Sequence, residues 1–475
     1  MSKLKSLSKY SAAITFLALE FFALMAFNFS GSYVLFGSLS LALMVLLILF
    51  NIGEIKLKGF SNVALFYIPL FLFTLLTTVG IYSLGHASIG DYSYAELVFI
   101  PLGILPIAFC GYLLSFDKHF KIKTFLLVVF SALAVYCLIN LFFNVINFGA
   151  FYTLIYKDYY LYYKGLKSLV PAQDFAYTLE GFKFIEVEMN HYVLYPILLL
   201  TSSVMLLYLS PKKEKVLFIV YAVFTLVAIL CLVLVPSIIS LASIAVIALL
   251  VLLIFLAKRF KLARKISKIA LFVVIGIFVL GYLLFVLNGQ SFASGISNLI
   301  ASNELLDRLF NTSRVTSKYH VLITDLFTGD KFLGFAGYYE IPSDLSTFRL
   351  YELSGGFIFD SYMTSGVLGA FGLFGFITCG FISFKKYFKL HKDEFHLQAT
   401  LLLFVTVFVG FSMFFNSGEY ALYYDIYRPI YLTAPFMIMI FIFSYVITKA
   451  HPEEKKIEKT VAQETKEGES LNEQI

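Results

Sequence analysis

The chain has 475 residues, 60% of them apolar and only 14% charged, with a formal net charge of +6 at pH 7. Such a composition excludes a soluble globular domain. It carries no GxxxxGK[ST] loop, no GxGxxG turn after a strand and no HExxH pair, so nothing in it supports nucleotide-driven coupling or a zinc hydrolase.

Apolar runs of about twenty residues recur, each long enough to cross roughly 30 Å of hydrocarbon. Twelve are predicted: 11–29, 32–51, 60–83, 94–116, 122–147, 189–209, 215–234, 237–257, 267–288, 357–384, 397–415 and 427–448. Each must be helical, because unpaired backbone groups are too costly in lipid. The fold class expected is therefore all-α. It is a polytopic integral membrane protein of about 12 transmembrane helices, with a long external loop containing short amphipathic helices. Residues 1–450 form the membrane domain, with large external loops at 148–188 and 289–356, and 451–475 form a disordered cytoplasmic tail. The first run is long and lacks a small-residue cleavage site, so no cleavable signal peptide is expected. Cys110, Cys137, Cys231 and Cys379 all fall within predicted helices and read as packing residues, not as a disulfide set or a metal site.

Charge fixes the expected orientation. With the N-terminus in the cytoplasm, the inner segments hold 26 of the 36 Lys and Arg residues. The short external turns 30–31, 84–93 and 235–236 hold none. Both termini are then cytoplasmic, as the positive-inside bias requires for an even number of spans. Against that bias stands the interval 289–356, which faces outward yet carries Arg308, Arg314, Lys318, Lys331 and Arg349. A basic external loop points to an anionic ligand.

Polar residues inside the spans collect at the outer boundary. Asn140, Asn144 and Asn147 share one face of the fifth helix, since their spacing is four and three. They fit a water-filled cavity or an interhelical hydrogen-bond seam. The sixth helix opens with Glu188, Asn190 and His191, and the twelfth with Asp425 and Arg428. The loop 148–188 is crowded with tyrosines, including Tyr152, Tyr156, Tyr159, Tyr160, Tyr162 and Tyr163. These suit sugar rings, and equally an interfacial belt in a chain without Trp.

The loop 289–356 contains two amphipathic helical patterns. Phe292, Ile296, Leu299, Ile300, Leu306 and Phe310 mark the first; Val315, Tyr319, Leu322, Ile323 and Leu326 mark the second. In the second, Arg314, Lys318 and Asp325 share a different face, and residues 311–313 offer an N-cap. An Arg in a first helical turn, beside exposed N–H groups, can hold phosphate; a solvated surface face has the same pattern. Next come Phe332-Leu333-Gly334-Phe335-Ala336-Gly337-Tyr338, a polar stretch, and then Phe359-Asp360-Ser361-Tyr362 leading to Gly366-Val367-Leu368-Gly369. Gly366, Gly369, Gly372 and Gly375 are spaced by three, which lets a neighbouring helix approach closely.

That order resembles the O-antigen polymerase and ligase superfamily, over about residues 185–385, and length, helix count and the late external loop agree with it. Ligases of that superfamily usually carry His-Asn where this chain has Phe359-Asp360, which sides with the Wzy-like polymerases. Pro236-Ser237-Ile238 stands where a Ser-Arg pair often occurs. The resemblance implies metal-independent, cofactor-free glycosyl transfer on the outer membrane face from an undecaprenyl-diphosphate-linked oligosaccharide. The product would be a capsule, exopolysaccharide or O-antigen. A flippase and a chain-length regulator are the implied associates, and nucleic acid is not.

Such a transfer needs cations where charge develops on the leaving diphosphate and a base at the acceptor hydroxyl. The candidates for the diphosphate are Arg314 and Lys318, then Arg308 and Arg428. Asp360 is the first choice for the base, followed by His191 and Glu188, although a carboxylate opening a helix also complements its dipole. Asn140, Asn144, Asn147, Asn190 and Tyr362 are candidates to line the cavity or contact sugar. Two rivals stand beside a polymerase. One is a ligase that moves finished polymer to another acceptor; the other is a transporter or flippase of a charged lipid or solute.

Overall fold

The computed structural model describes residues 57–83, 88–89, 92–93, 99–116, 120–146, 189–209, 214–234, 357–414 and 434–452, together with Ala42. Eight α-helices occur among them: α1 (Leu57–Ser83), α2 (Phe99–Phe116), α3 (Ile122–Ile146), α4 (Met189–Leu209), α5 (Lys215–Leu234), α6 (Phe357–Leu390), α7 (Phe395–Phe414) and α8 (Ala434–Ala450). A two-residue hairpin pair, Ser88–Ile89 with Tyr92–Ser93, lies between α1 and α2. A short 3-10 turn, Lys392–Glu394, joins α6 to α7. The predicted spans 11–29, 237–257 and 267–288 lie outside the described residues, as does 32–51 apart from Ala42.

Three helical stretches, Lys215–Val233, Ser365–Leu390 and Lys392–Gly410, are long and apolar enough to cross a membrane. Five shorter apolar helical stretches accompany them: Val63–Thr78, Ile107–Phe116, Ile122–Leu138, Leu194–Leu207 and Pro435–Ala450. On α5, Val216, Ile219, Val223, Leu226, Leu230 and Val233 form an exposed apolar stripe. On α1, Leu65, Ile68, Phe71 and Leu75 do the same. Continuous apolar stripes of this kind suit contact with lipid and not with water.

The helix α8 is the axis of the bundle. Its side chains from Pro435 to Ala450 are buried except Lys449, which is half-buried. It packs chiefly against α2 and α6, and α6 packs along α1. A second group, α3, α4 and α5, is joined to the first chiefly through α7, which packs against α4, α6 and α8, and also where Phe125 of α3 meets Phe441 of α8. Small residues make the closest approaches. A Cβ added to Gly372 would lie 2.5 Å from the Pro69 carbonyl oxygen of α1, and one on Gly375 would lie 3.3 Å from Pro69 Cβ. On α2, a Cβ on Gly111 would lie 2.7 Å from the Phe441 carbonyl oxygen of α8.

Polar contacts pin these approaches. Tyr67 Oη on α1 lies 2.6 Å from Ser444 Oγ and 3.2 Å from Thr448 Oγ1 on α8. Ser444 Oγ in turn donates to the Ala108 carbonyl of α2. One hydroxyl pair thus ties three helices. In membranes such a bond is worth about 0.6–1.7 kcal/mol, so it fixes register more than it supplies stability.

The long helix α6 is not straight. Gly366 has φ 70° and ψ −176°, which divides it into 357–365 and 367–390. Only glycine takes that conformation readily. The same helix runs to Leu390, past the predicted end at 384. Lys385, Lys386 and Lys389 there are exposed, and their aliphatic stems allow the helix to continue into the headgroup layer.

The glycine contacts make a contrast that thermal unfolding in detergent can read. Gly372→Ala must push against a backbone carbonyl, so it should destabilise by about 1–3 kcal/mol, the usual range for overpacking. Gly410 in α7 has nothing within 4 Å of an added Cβ, so Gly410→Ala should stabilise by about 0.5–1 kcal/mol through helix propensity alone.

Candidate functional site

Six of the candidate residues lie on described helices. Asn140 and Asn144 are on α3, Asn190 and His191 open α4, and Asp360 and Tyr362 lie in the first two turns of α6. Glu188, Asn147, Arg308, Arg314, Lys318 and Arg428 lie outside the described residues, as do the loops 148–188 and 289–356.

The helix register relates four of the six. The rings of Tyr136 on α3 and Tyr195 on α4 lie 4.4 Å apart. Asn140 is one turn beyond Tyr136, and His191 is one turn before Tyr195. The two helices run in opposite directions, so the backbones at 140 and 191 stand at the same level, with 144 and 190 nearby. The end of α5 joins this level, with Cys231 Sγ 3.8 Å from the Cys137 carbonyl oxygen. Cys110, Cys137 and Cys231 are buried.

On α6, the residues around Asp360 are unusually polar for a membrane helix. Ser361 and Ser365 are both fully buried. Ser365 Oγ donates to the Ser361 carbonyl at 2.6 Å. Thr74 and Thr77 of α1 are buried as well, and they donate to the Phe71 and Phe73 carbonyls of their own helix at 2.8 Å each. These hydroxyls satisfy backbone groups inside their own helices, so burying them costs little.

The break at Gly366 is the feature that sequence reasoning missed. The glycine spacing gives the close approach of α6 to α1, and Gly372 and Gly375 make it. Gly366 is instead a break. An added Cβ on Gly369 would collide first with Ser365 of its own helix and come only then, at 3.4 Å, to Leu76 of α1. A glycine in an apolar run signals either role equally, because the pattern does not carry φ.

The opposite end of the bundle holds a described ion pair and two histidines. Lys123 Nζ and Glu214 Oε2 form an ion pair at 2.5 Å between the starts of α3 and α5. Gln398, fully buried in α7, donates from Nε2 to the His391 carbonyl at 2.5 Å and so clamps the α6–α7 turn. The ring of His391 packs on Tyr387, and that of His451 on Phe66. Burial lowers the pKa of His391 from 6.5; Lys449 lowers it further, against Glu394 and a hydrogen bond to the Lys449 backbone. Burial also lowers His451, against a hydrogen bond to the Ile447 carbonyl, and Lys386 adds to the lowering. Among the described residues no three His, Cys, Asp or Glu side chains gather where they could hold a metal ion.

The chain matches no protein-family model, no curated protein and no solved structure.

The lowered histidines set a pH dependence. Both bind protons more weakly in the folded chain than the unfolded value of 6.5. Their contribution to stability is therefore present above about pH 6.5 and is lost as pH falls through the lowered folded values. Thermal unfolding in detergent at pH 7.5 and pH 5 should show a lower Tm at pH 5, and the difference should shrink in His391→Gln combined with His451→Gln.

Proposed function

We propose that this protein polymerises undecaprenyl-diphosphate-linked oligosaccharide repeat units into a surface polysaccharide by glycosyl transfer on the outer face of the cytoplasmic membrane. The observation that carries this reading is one of order along the chain. A basic loop with Arg308, Arg314 and Lys318 is followed at once by a helix whose second turn begins with Asp360-Ser361. An anion grip and a base thus flank one boundary of the membrane.

The chemistry balances without a cofactor. The acceptor hydroxyl attacks the anomeric carbon, a glycosidic C–O bond forms, and the bond to the lipid diphosphate breaks. Asp360 takes the hydroxyl proton. Arg314 and Lys318 stabilise the charge that develops on the departing diphosphate, and the planar Arg fork suits it best. Asn140 is a candidate to contact the sugars, and His191, at the same level on the neighbouring helix, stands behind Asp360 as a candidate for the base.

Two other readings are kept. A ligase would use the same chemistry with a different acceptor. A transporter or flippase of a charged lipid draws on the break at Gly366, since discontinuous helices are common in transporters. Polarity at the outer boundary, away from the bilayer middle, favours transfer over transport.

Purified protein mixed with lipid-linked repeat units should build a ladder of longer glycans in the presence of EDTA. A single coupled product would favour the ligase. A strict need for a divalent ion would contradict the mechanism, and uptake without glycan growth would favour transport. Arg314→Ala should cut turnover by about two to three orders of magnitude, the scale of losing one transition-state donor. Arg314→Lys should fall between, Asp360→Asn should be severely impaired, and Lys331→Ala should remain near normal. Near wild-type rates in both Arg314→Ala and Asp360→Asn would overturn the assignment of these residues.

A further inference from the structure

We infer that Gly366, with Ser365 and Gly369, forms a joint that sets the direction of the half-helix 357–365 and thereby positions Asp360 for the transfer. The catalytic half of this inference rests on the function proposed above; the joint itself does not.

The two halves of α6 meet at Gly366. The half after Gly366 is fixed on α1, because Gly372 and Gly375 sit directly on Pro69. The half before it carries Asp360 and Tyr362 and is linked through a residue at φ 70° and ψ −176°. A side chain at 366 would force φ negative and drive the two halves toward one continuous helix.

A second contact sets the angle. In a straight helix, Cβ atoms four residues apart are about 5–6 Å from one another. Here a Cβ on Gly369 would overlap Ser365 Cβ and Oγ. The turn at Gly366 has therefore folded Ser365 down onto the bare backbone of Gly369. Ser365 is fully buried there, and its hydroxyl is bonded to the Ser361 carbonyl, one residue from Asp360. Gly369 supplies the space, Ser365 fills it, and Gly366 permits the turn. The three act as one device, and none of them is free to change alone.

A small rotation at this joint would displace Asp360 relative to helices that do not move with it. Misplacing a reacting group by about 1 Å costs on the order of 10²-fold in rate. Gly366 is on this account a positioning residue, acting through Asp360.

The test has two arms, in a background lacking the four cysteines. In the first, spin labels at positions 357 and 378 report the shape of α6. A straight helix would separate the two backbones by about 32 Å at 1.5 Å per residue. The wild-type joint should give a shorter distance, Gly366→Ala should lengthen it toward the straight value, and Ser365→Ala should broaden it. An unchanged distance in Gly366→Ala would overturn the joint. In the second arm, kcat and KM are measured separately with lipid-linked repeat units. Gly366→Ala should lower kcat by about 10²-fold with little change in KM. Combined with Asp360→Asn, it should cause little further loss, because the two act as one unit. Additive losses, or a wild-type kcat in Gly366→Ala, would overturn the positioning role. Should Gly366→Ala fail to insert, the milder Ser365→Ala decides: it should lower kcat by a smaller factor, and an unaltered distance distribution and kcat would overturn the joint. Wild-type protein that makes no polymer at all would instead overturn the proposed function, and with it the catalytic half of this inference, while the distance arm would still judge the joint.

Discussion

In hydrocarbon, two apolar helix faces gain little by meeting, because lipid tails would cover them equally well. What remains is close contact, and close contact requires that side chains be absent. The approach of α6 to α1 meets this constraint at one point. Gly372 leaves room for its backbone to reach the Pro69 carbonyl, and Gly375 rests on the proline ring. The same device recurs where Gly111 of α2 meets Phe441 of α8. The hydroxyl bridge from Tyr67 through Ser444 to Ala108 then fixes how far α1, α2 and α8 slide past one another. Bulk apolar character suits these helices to a membrane, and missing side chains determine which of them touch.

This packing has a consequence for the first half of α6, residues 357–365. One half of the helix is locked to α1, and the other departs at Gly366 with a direction of its own. Ser365 lying over Gly369 defines that departure. A glycine-rich helix thereby serves two ends at once, since the same run supplies a tight interface and a fixed break. In the proposed reaction the break matters because the acid at position 360 lies on the departing segment.

The helix boundaries were legible where hydropathy ends abruptly. Residues 189–209 and 215–234 are predicted to the residue, because Pro211, Lys212 and Lys213 cut the apolar run cleanly. The end of α6 was less legible, since lysine stems allow a helix to outlast its apolar run and Lys385, Lys386 and Lys389 extend it to Leu390. The contact of Tyr136 with Tyr195, which sets the level of Asn140 and His191, could not be read from the chain. Each is one of 32 tyrosines, and pairing across helices has no local signature. Gly366 was visible as a small residue but not as a break. The cations Arg308, Arg314, Lys318 and Arg428 rest on loop spacing and charge alone, because they fall outside the described residues.

The described helix ends agree with one another about sidedness. Lys123 with Glu214, Phe66 with His451, and Phe120 with Tyr445 gather at one end of the bundle. The positive-inside bias predicts that this end is cytoplasmic and that the basic loop 289–356 lies outside. The outward position of that loop is the central claim, since an outer-face transferase needs its anion grip there. Labelling of single cysteines at positions 330 and 262 in whole cells tests it most directly, in a background without Cys110, Cys137, Cys231 and Cys379. An impermeant thiol reagent should modify position 330 from outside and reach position 262 only after the membrane is opened. Reaction at 262 with none at 330 in intact cells would contradict the account.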